Sequence, residues 1–107
     1  MIGAVTDLDF DRLVERSPVP VLIAFWKPGC GGCRVLMRQL GLLQADLADS
    51  ILMLQMNVDE NFQIPAELEI RSLPALALYR NGQFDRFIGG IGTKEAIRNT
   101  LSSALSD

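Results

Sequence analysis

The most informative segment of the sequence is residues 19–33, VPVLIAFWKPGCGGC. Residues 19–26 form a continuous apolar run of strand length, which is typical of a strand covered on both faces. Cys30 and Cys33, the two cysteines of the chain, follow this run where a long helical pattern begins. The segment therefore predicts a buried strand that leads into a pair of thiols at the start of a helix.

The sequence on either side alternates between strand and helix patterns. Strands are predicted at residues 2–5, 51–58, 75–80 and 83–88, and helices at residues 8–16, after Cys33, at residues 65–70 and after Thr93. Asn81 and Gly82 predict a tight hairpin turn, and Thr93 predicts an N-cap. Gly41 lies inside the long helix at a cost of about 1 kcal/mol relative to alanine, so we expect a packing reason for it.

This order of elements predicts the fold class. Strands separated by helices pair in parallel through crossovers, whereas a hairpin adds antiparallel strands. We therefore expect an α/β fold, a three-layer α/β/α sandwich with a central mixed five-stranded sheet, three strands parallel plus the antiparallel hairpin, flanked by four helices. The length of 107 residues predicts a single domain over residues 1–107.

Composition excludes several function classes. The net charge of −3 argues against a nucleic-acid or anionic-membrane partner recognised by charge alone. The chain contains no histidine, which removes Ser-His-Asp and Cys-His catalysis and histidine-ligated metals. Its apolar runs are far shorter than the ~20 residues of a membrane helix, and its start does not resemble a secretory signal. We expect a cytoplasmic monomer with no bound cofactor or metal.

The spacing of the two cysteines points to redox chemistry. Side chains three residues apart in a first helical turn share one face, with Cβ atoms ~5–6 Å apart, so a small adjustment allows a disulfide. Cys30, at the helix start, gains thiolate stabilisation from unpaired backbone N–H groups, and Lys27 and Arg34 act in the same direction. We therefore predict that Cys30 is the nucleophile and that Cys33, one turn inside, is the resolving thiol.

Other interpretations of the pair stay open at this point. The cysteines can be inert structural residues, or a permanent disulfide, which stabilises little across so short a loop. Zinc needs about four ligands, and one Cys-x-x-Cys supplies two, so a metal or iron–sulfur cluster requires thiols from two chains. A redox-sensing or binding module with little turnover, and an oxidase or isomerase, are further alternatives.

The sequence as a whole resembles the thioredoxin family. The resemblance covers nearly the whole chain, in the family's order and spacing. It rests on residues 21–26, the cysteine motif, residues 57–59, residues 70–74, Asn81-Gly82 and the pair Gly89-Gly90. It implies a thioredoxin fold, a protein-disulfide reductase that cycles between dithiol and disulfide, disulfide-containing protein substrates, and a thioredoxin reductase as the electron donor.

The resemblance also implies the surroundings of the cysteines. The active-site loop would comprise Trp26, Lys27, Pro28, Gly29, Gly31 and Gly32. The substrate-binding residues would be Leu73, Pro74, Gly90 and Ile91. In the family, the peptide bond before the proline at the position of Pro74 is cis, and the neighbouring backbone accepts the substrate as an added strand.

Departures from the family pattern predict altered chemistry. Residues 29–33 are GCGGC, whereas thioredoxins usually have WCGPC. The family's buried aspartate and its lysine partner fall on Ala24 and Gln55, so both members of a charge pair are missing together. The helix-kinking proline falls on Arg38. We expect slower resolution, because no side chain is identified to deprotonate Cys33, and a less reducing couple, because the motif lacks its proline.

Overall fold

The computed structural model describes residues 2–47, 49–89 and 91–107. Its strands are β1 (Gly3–Ala4), β2 (Val21–Trp26), β3 (Leu52–Asn57), β4 (Ala75–Arg80) and β5 (Gln83–Phe87). Its helical segments are a π-helical turn (Asp11–Glu15), α1 (Gly31–Leu47), α2 (Gln63–Glu67) and α3 (Lys94–Leu105). Each predicted element is present, with boundaries that differ by a few residues.

The five strands form one mixed sheet in the order β1-β3-β2-β4-β5. β3 pairs in parallel with both β1 and β2, whereas β4 pairs antiparallel with both β2 and β5. This confirms the predicted sheet of three parallel strands plus the hairpin. In the antiparallel pairing Phe25 lies opposite Ala75. The end of β2 that leads to the cysteines therefore lies beside the start of β4, directly after Pro74.

Both faces of the sheet are covered, as the apolar run of β2 predicts. Leu22 and Ala24 face one hydrophobic cluster, to which α1 and α3 contribute. Ile23 and Phe25 face the other, which contains residues of the π-helical turn and α2. These four β2 side chains are at most 1% exposed. β2 is thus fixed from both sides, which holds the loop that follows it in place.

The hairpin and the last helix form as their local sequences predict. Asn81 and Gly82 have φ angles of +55° and +78°. A Cβ on Gly82 would collide with the backbone oxygen of Glu15, so this turn requires glycine on two grounds. Thr93 caps α3, because its side chain accepts a hydrogen bond from the Ala96 N–H at 3.1 Å.

The start of α2 differs from the prediction. The expected helix at residues 65–70 begins instead at Gln63. The carboxylate of Asp7 accepts hydrogen bonds from the backbone N–H groups of Phe62, Gln63 and Ile64 at 2.8–3.0 Å. A cap supplied from more than fifty residues away therefore starts this helix, and local sequence gives no sign of it.

The expectation about Gly41 is wrong. A Cβ at this exposed position would meet no atom within 4 Å beyond its own neighbours, so no close contact requires glycine there. Among the described residues, no helix combines the length and apolar character needed to cross a membrane.

Candidate active site

The cysteine motif begins in a turn between β2 and α1. The Cys30 N–H donates to the Lys27 oxygen at 3.3 Å, which closes this turn. Gly29 within it has a φ of +85°, a region that side chains with a Cβ rarely adopt. The turn explains the glycine before the first cysteine, because a tryptophan there would be strained in this conformation.

The two cysteines form a disulfide and differ in exposure. Their Cα atoms are 5.3 Å apart, within the range that disulfides span. Cys30 is partly exposed just before the first residue of α1, whereas Cys33 is only 3% exposed. The Cys33 N–H donates to the Cys30 Sγ at 3.2 Å. The helix start therefore directs a backbone donor at the more accessible sulfur.

The loop before β4 packs against the motif. The Leu73–Pro74 peptide bond is cis, the isomer that the resemblance implies. A Cβ on Gly32 would lie 3.1 Å from Pro74 Cδ, so the glycine allows a close approach of motif and proline. Leu73 lines a cavity of about 480 Å³ together with Cys30 and Lys27. Residues distant in sequence thus meet at the disulfide.

The other expected site residues lie around this centre. Pro74 and Ile91 line a neighbouring cavity of about 410 Å³. Lys27, Pro28 and Gly29 are exposed and line a third cavity of about 640 Å³, which both cysteines also border. The half-buried Trp26 lines the same cavity, and its Nε1 is buried without a hydrogen-bond partner among the described residues. Gly31 is exposed with open space around it, and Gly90 lies outside the described residues.

Comparison with known proteins agrees with this geometry. The family model for thioredoxin matches residues 1–103. The chain belongs to the thioredoxin family. The thioredoxin of Rickettsia typhi is 31% identical over 105 residues, which cover 98% of this chain and 100% of its own length. Thioredoxin 1 of Synechococcus elongatus is 34% identical over 96% of each chain. The thioredoxin of Rickettsia bellii is 40% identical over 78% of this chain and 79% of its own length.

Membership of the family, together with the disulfide, settles two of the predictions. The mixed sheet with helices on both faces is a thioredoxin fold. The Cys30–Cys33 pair makes this protein a thiol–disulfide oxidoreductase of the thioredoxin type.

The positions of the family's buried charge pair hold no charge here. Ala24 is fully buried in β2, and the Gln55 Nε2 donates to the Ile2 oxygen at 2.9 Å, which ties β3 to the start of the chain. No carboxylate is among the residues that line the cavity bordering Cys33. Within the part of the chain that the structure describes, Cys33 therefore has no acidic side chain beside it in this cavity.

Sequence reasoning missed one feature of the site. The sequence marks Arg38 only as the residue that replaces the family's helix-kinking proline, yet Arg38 lines the 640 Å³ cavity together with Arg34 and Met37. The signal was available, because residues four apart on a helix lie on the same face. What the sequence did not show was that this face of α1 borders the disulfide.

Proposed function

We propose that Cys30 attacks disulfides of protein substrates and that Cys33 resolves the mixed disulfide that results. The observation that carries this assignment is the asymmetry of the pair. Cys30 is partly exposed and its Sγ accepts a hydrogen bond from the Cys33 N–H, whereas Cys33 is only 3% exposed. Lys27 and the positive end of α1 stabilise a thiolate at Cys30.

The reaction proceeds in two exchanges. The Cys30 thiolate forms a bond to one substrate sulfur, the substrate S–S bond breaks, and the released thiolate takes up a proton. Cys33 then loses its proton and attacks the Cys30 Sγ, which forms the Cys30–Cys33 disulfide and releases the second substrate thiolate. Two electrons pass from the protein to the substrate, and no bound cofactor takes part.

The proposed substrate-docking surface comprises Leu73, Pro74 and Ile91, together with the active-site loop of Trp26, Lys27, Pro28, Gly29, Gly31 and Gly32. Gly90, which the family resemblance adds to this surface, lies outside the described residues. The contact between Gly32 and Pro74 supports this arrangement, because it places the backbone before β4 beside the disulfide. An extended substrate segment can pair with that backbone as an added strand. The docked segment then presents its disulfide to Cys30.

The same assignment implies a substrate class, an electron donor, an oligomeric state and a cellular compartment. Protein disulfides are the substrates, and a thioredoxin reductase returns the pair to the dithiol form. Residues 1–107 act as one domain and as a monomer. The cytoplasm is the compartment that suits a reductase, because thiols are kept reduced there.

Resolution is slower than in a standard thioredoxin. The described residues that line the cavity beside Cys33 include no carboxylate, and in this proposal water or the leaving thiolate accepts the Cys33 proton. A Cys30 mixed disulfide resolving in stopped-flow experiments at the speed of a standard thioredoxin would contradict this.

The dithiol–disulfide couple of Cys30 and Cys33 is less reducing than that of a standard thioredoxin. Gly32 retains a backbone N–H that proline lacks, and a donor that stabilises the dithiol form raises the reduction potential. We expect equilibration with glutathione buffers to give a potential above that of a standard thioredoxin measured beside it. A value equal or lower would overturn this proposal.

Insulin reduction with two variants tests the assignment of the cysteines. We expect Cys30→Ser to abolish turnover. Cys33→Ser should also stop turnover but accumulate mixed disulfides with substrate, detected by mass spectrometry. Turnover that survives the loss of Cys30 would exclude the assignment. An intact wild-type disulfide with no turnover would instead indicate a redox-sensing or binding module.

A further inference from the structure

The basic residues of this chain fall into two groups. Lysine and arginine number ten, and six of them lie within ion-pair distance of a carboxylate: Arg12, Arg16, Arg71, Arg80, Arg86 and Arg98. Lys27, Arg34, Arg38 and Lys94 have no such partner among the described residues. Three of these four line the cavity beside the disulfide. Unpaired positive charge is therefore concentrated at one place, in a protein whose net charge is −3.

Stability does not explain this concentration. Arg34 and Arg38 lie four residues apart on α1, where like charges repel each other. Arg34 also lies in the first turn of α1, near the positive end of the helix dipole, which disfavours a cation. Among the residues that the structure describes, no carboxylate lines the cavity to offset either effect. An anion in the cavity would relieve both.

The shape of the site favours a small molecule. The cavity measures about 640 Å³, within the ~300–1,000 Å³ typical of small-molecule sites. Leu73, Pro74 and Ile91, which belong to the proposed protein-docking surface, are not among its lining residues. Cys30 and Cys33 both border it. The cavity shares Trp26, Lys27, Pro28 and Gly29 with that docking surface, but an occupant would reach the reactive sulfurs without lying against Leu73, Pro74 or Ile91.

We propose that this cavity binds the carboxylate groups of low-molecular-weight disulfides, so that the protein reduces anionic small disulfides in preference to neutral and cationic ones. Arg34, Arg38 and Lys27 hold the carboxylates, while Cys30 attacks one sulfur. The first small thiol leaves with a proton, Cys33 displaces the second from Cys30, and the Cys30–Cys33 disulfide forms. This inference rests on the proposed roles of the two cysteines.

A series of matched disulfides tests charge recognition. Reduced protein is mixed with 3,3′-dithiodipropionate, 2-hydroxyethyl disulfide or cystamine, which place a carboxylate, a hydroxyl or an ammonium group at each end of a short chain. Each rate is divided by the rate of the same disulfide with 2-mercaptoethanol, which removes intrinsic reactivity. At low salt we expect the normalised rate to be highest for the anionic disulfide, intermediate for the neutral one and lowest for the cationic one. The differences should shrink near 1 M salt, where the Debye length is about 3 Å.

Charge-neutralising variants locate the effect. Arg34→Gln and Arg38→Gln should each lower the ratio of the anionic to the neutral rate by about two- to fivefold, and the double variant by more. Lys94→Gln is the matched control, because Lys94 is also unpaired but does not line the cavity. It should leave the ratio unchanged.

A binding measurement tests recognition of carboxylates by the cavity without disulfide exchange. Suberate has the chain length of dithiodipropionate but no disulfide, and Trp26, the single tryptophan, lines the cavity. Titration of the oxidised protein with suberate should change the tryptophan fluorescence in a saturable way. The double arginine variant should lose this change, and 1,6-hexanediol should not produce it.

The outcomes separate this inference from the function on which it rests. Failure to reduce insulin as well as the three small disulfides would remove the proposed function, whereas reduction of insulin without reduction of any small disulfide would overturn the cavity proposal alone. Oxidation without the charge order, a charge order that survives in the double arginine variant, or a suberate titration without effect would overturn the cavity proposal alone.

Discussion

The first turns of α1 and α3 contain the same hydrogen bond with different acceptor atoms. In α3 the Thr93 oxygen accepts the N–H three residues on, at 3.1 Å, and in α1 the Cys30 sulfur does so at 3.2 Å. α3 carries Glu95 in its first turn, whereas α1 carries no acidic residue there. An oxygen cap is a fixed source of stability. A sulfur in the same position changes its charge with the redox state, so the helix start becomes part of the reaction.

The largest expected effect concerns the deprotonation of Cys33, which the backbone donors at the start of α1 do not assist. These donors stabilise a thiolate at Cys30 but remove no proton from Cys33. We expect Ala24→Asp to speed resolution of a Cys30 mixed disulfide by about tenfold or more, because the carboxylate would serve as a general base. Stopped-flow measurement of the resolution step provides the comparison.

Ala24→Asn is the matched control, because it introduces a side chain of the same shape that cannot accept the proton. Equal resolution rates for the two variants would show that a carboxylate at position 24 does not act as a general base for Cys33. Both variants should lower the free energy of unfolding, because Ala24 is fully buried.

A second prediction concerns α2, whose cap is a carboxylate from another part of the chain. Asp7→Ala should lower the free energy of unfolding by about 2 kcal/mol, because three backbone donors lose a charged acceptor. Urea denaturation measures this loss. Asp7→Asn keeps one acceptor oxygen and should lie between Asp7→Ala and the wild type; a change below the error of the measurement in both variants would show that the cap is dispensable.

The third prediction tests whether sulfur caps α1 as oxygen caps α3. Cys30→Ser and Cys30→Ala both remove the disulfide, but only serine retains an acceptor. We expect the serine variant to be more stable by about 1 kcal/mol in thermal or urea unfolding. Thr93→Ser and Thr93→Ala form the matched pair at α3 and should show a similar difference. A difference at Thr93 without one at Cys30 would mean that the sulfur contributes reactivity but no capping.

Local sequence predicted the elements whose causes are local. The apolar run of β2 predicted a strand covered on both faces, and Asn81-Gly82 predicted a turn that needs positive φ angles at both residues. Thr93 predicted its own cap correctly. The start of α2 was predicted wrongly, because its cap comes from Asp7, far away in the sequence.

The candidate site divides in the same way. The spacing of Cys30 and Cys33 predicted that they can join, since both fall within one helical turn. The contact between Gly32 and Pro74 depends on the antiparallel pairing of β2 with β4, and spacing alone does not reveal this pairing. Arg34 and Arg38 could be placed on one face of α1, but not beside a cavity.

The sequence by itself determined the order of strands and helices, the reactive pair and the absence of the buried charges, because these depend on residue identity and on neighbours within a few positions. The position of each thiol relative to the helix start also predicted that Cys30 is the attacking one, whereas only the tertiary structure decided what lies opposite the motif and where the unpaired arginines gather. Those properties arise from strand pairing and helix packing, which bring together residues that are distant along the chain.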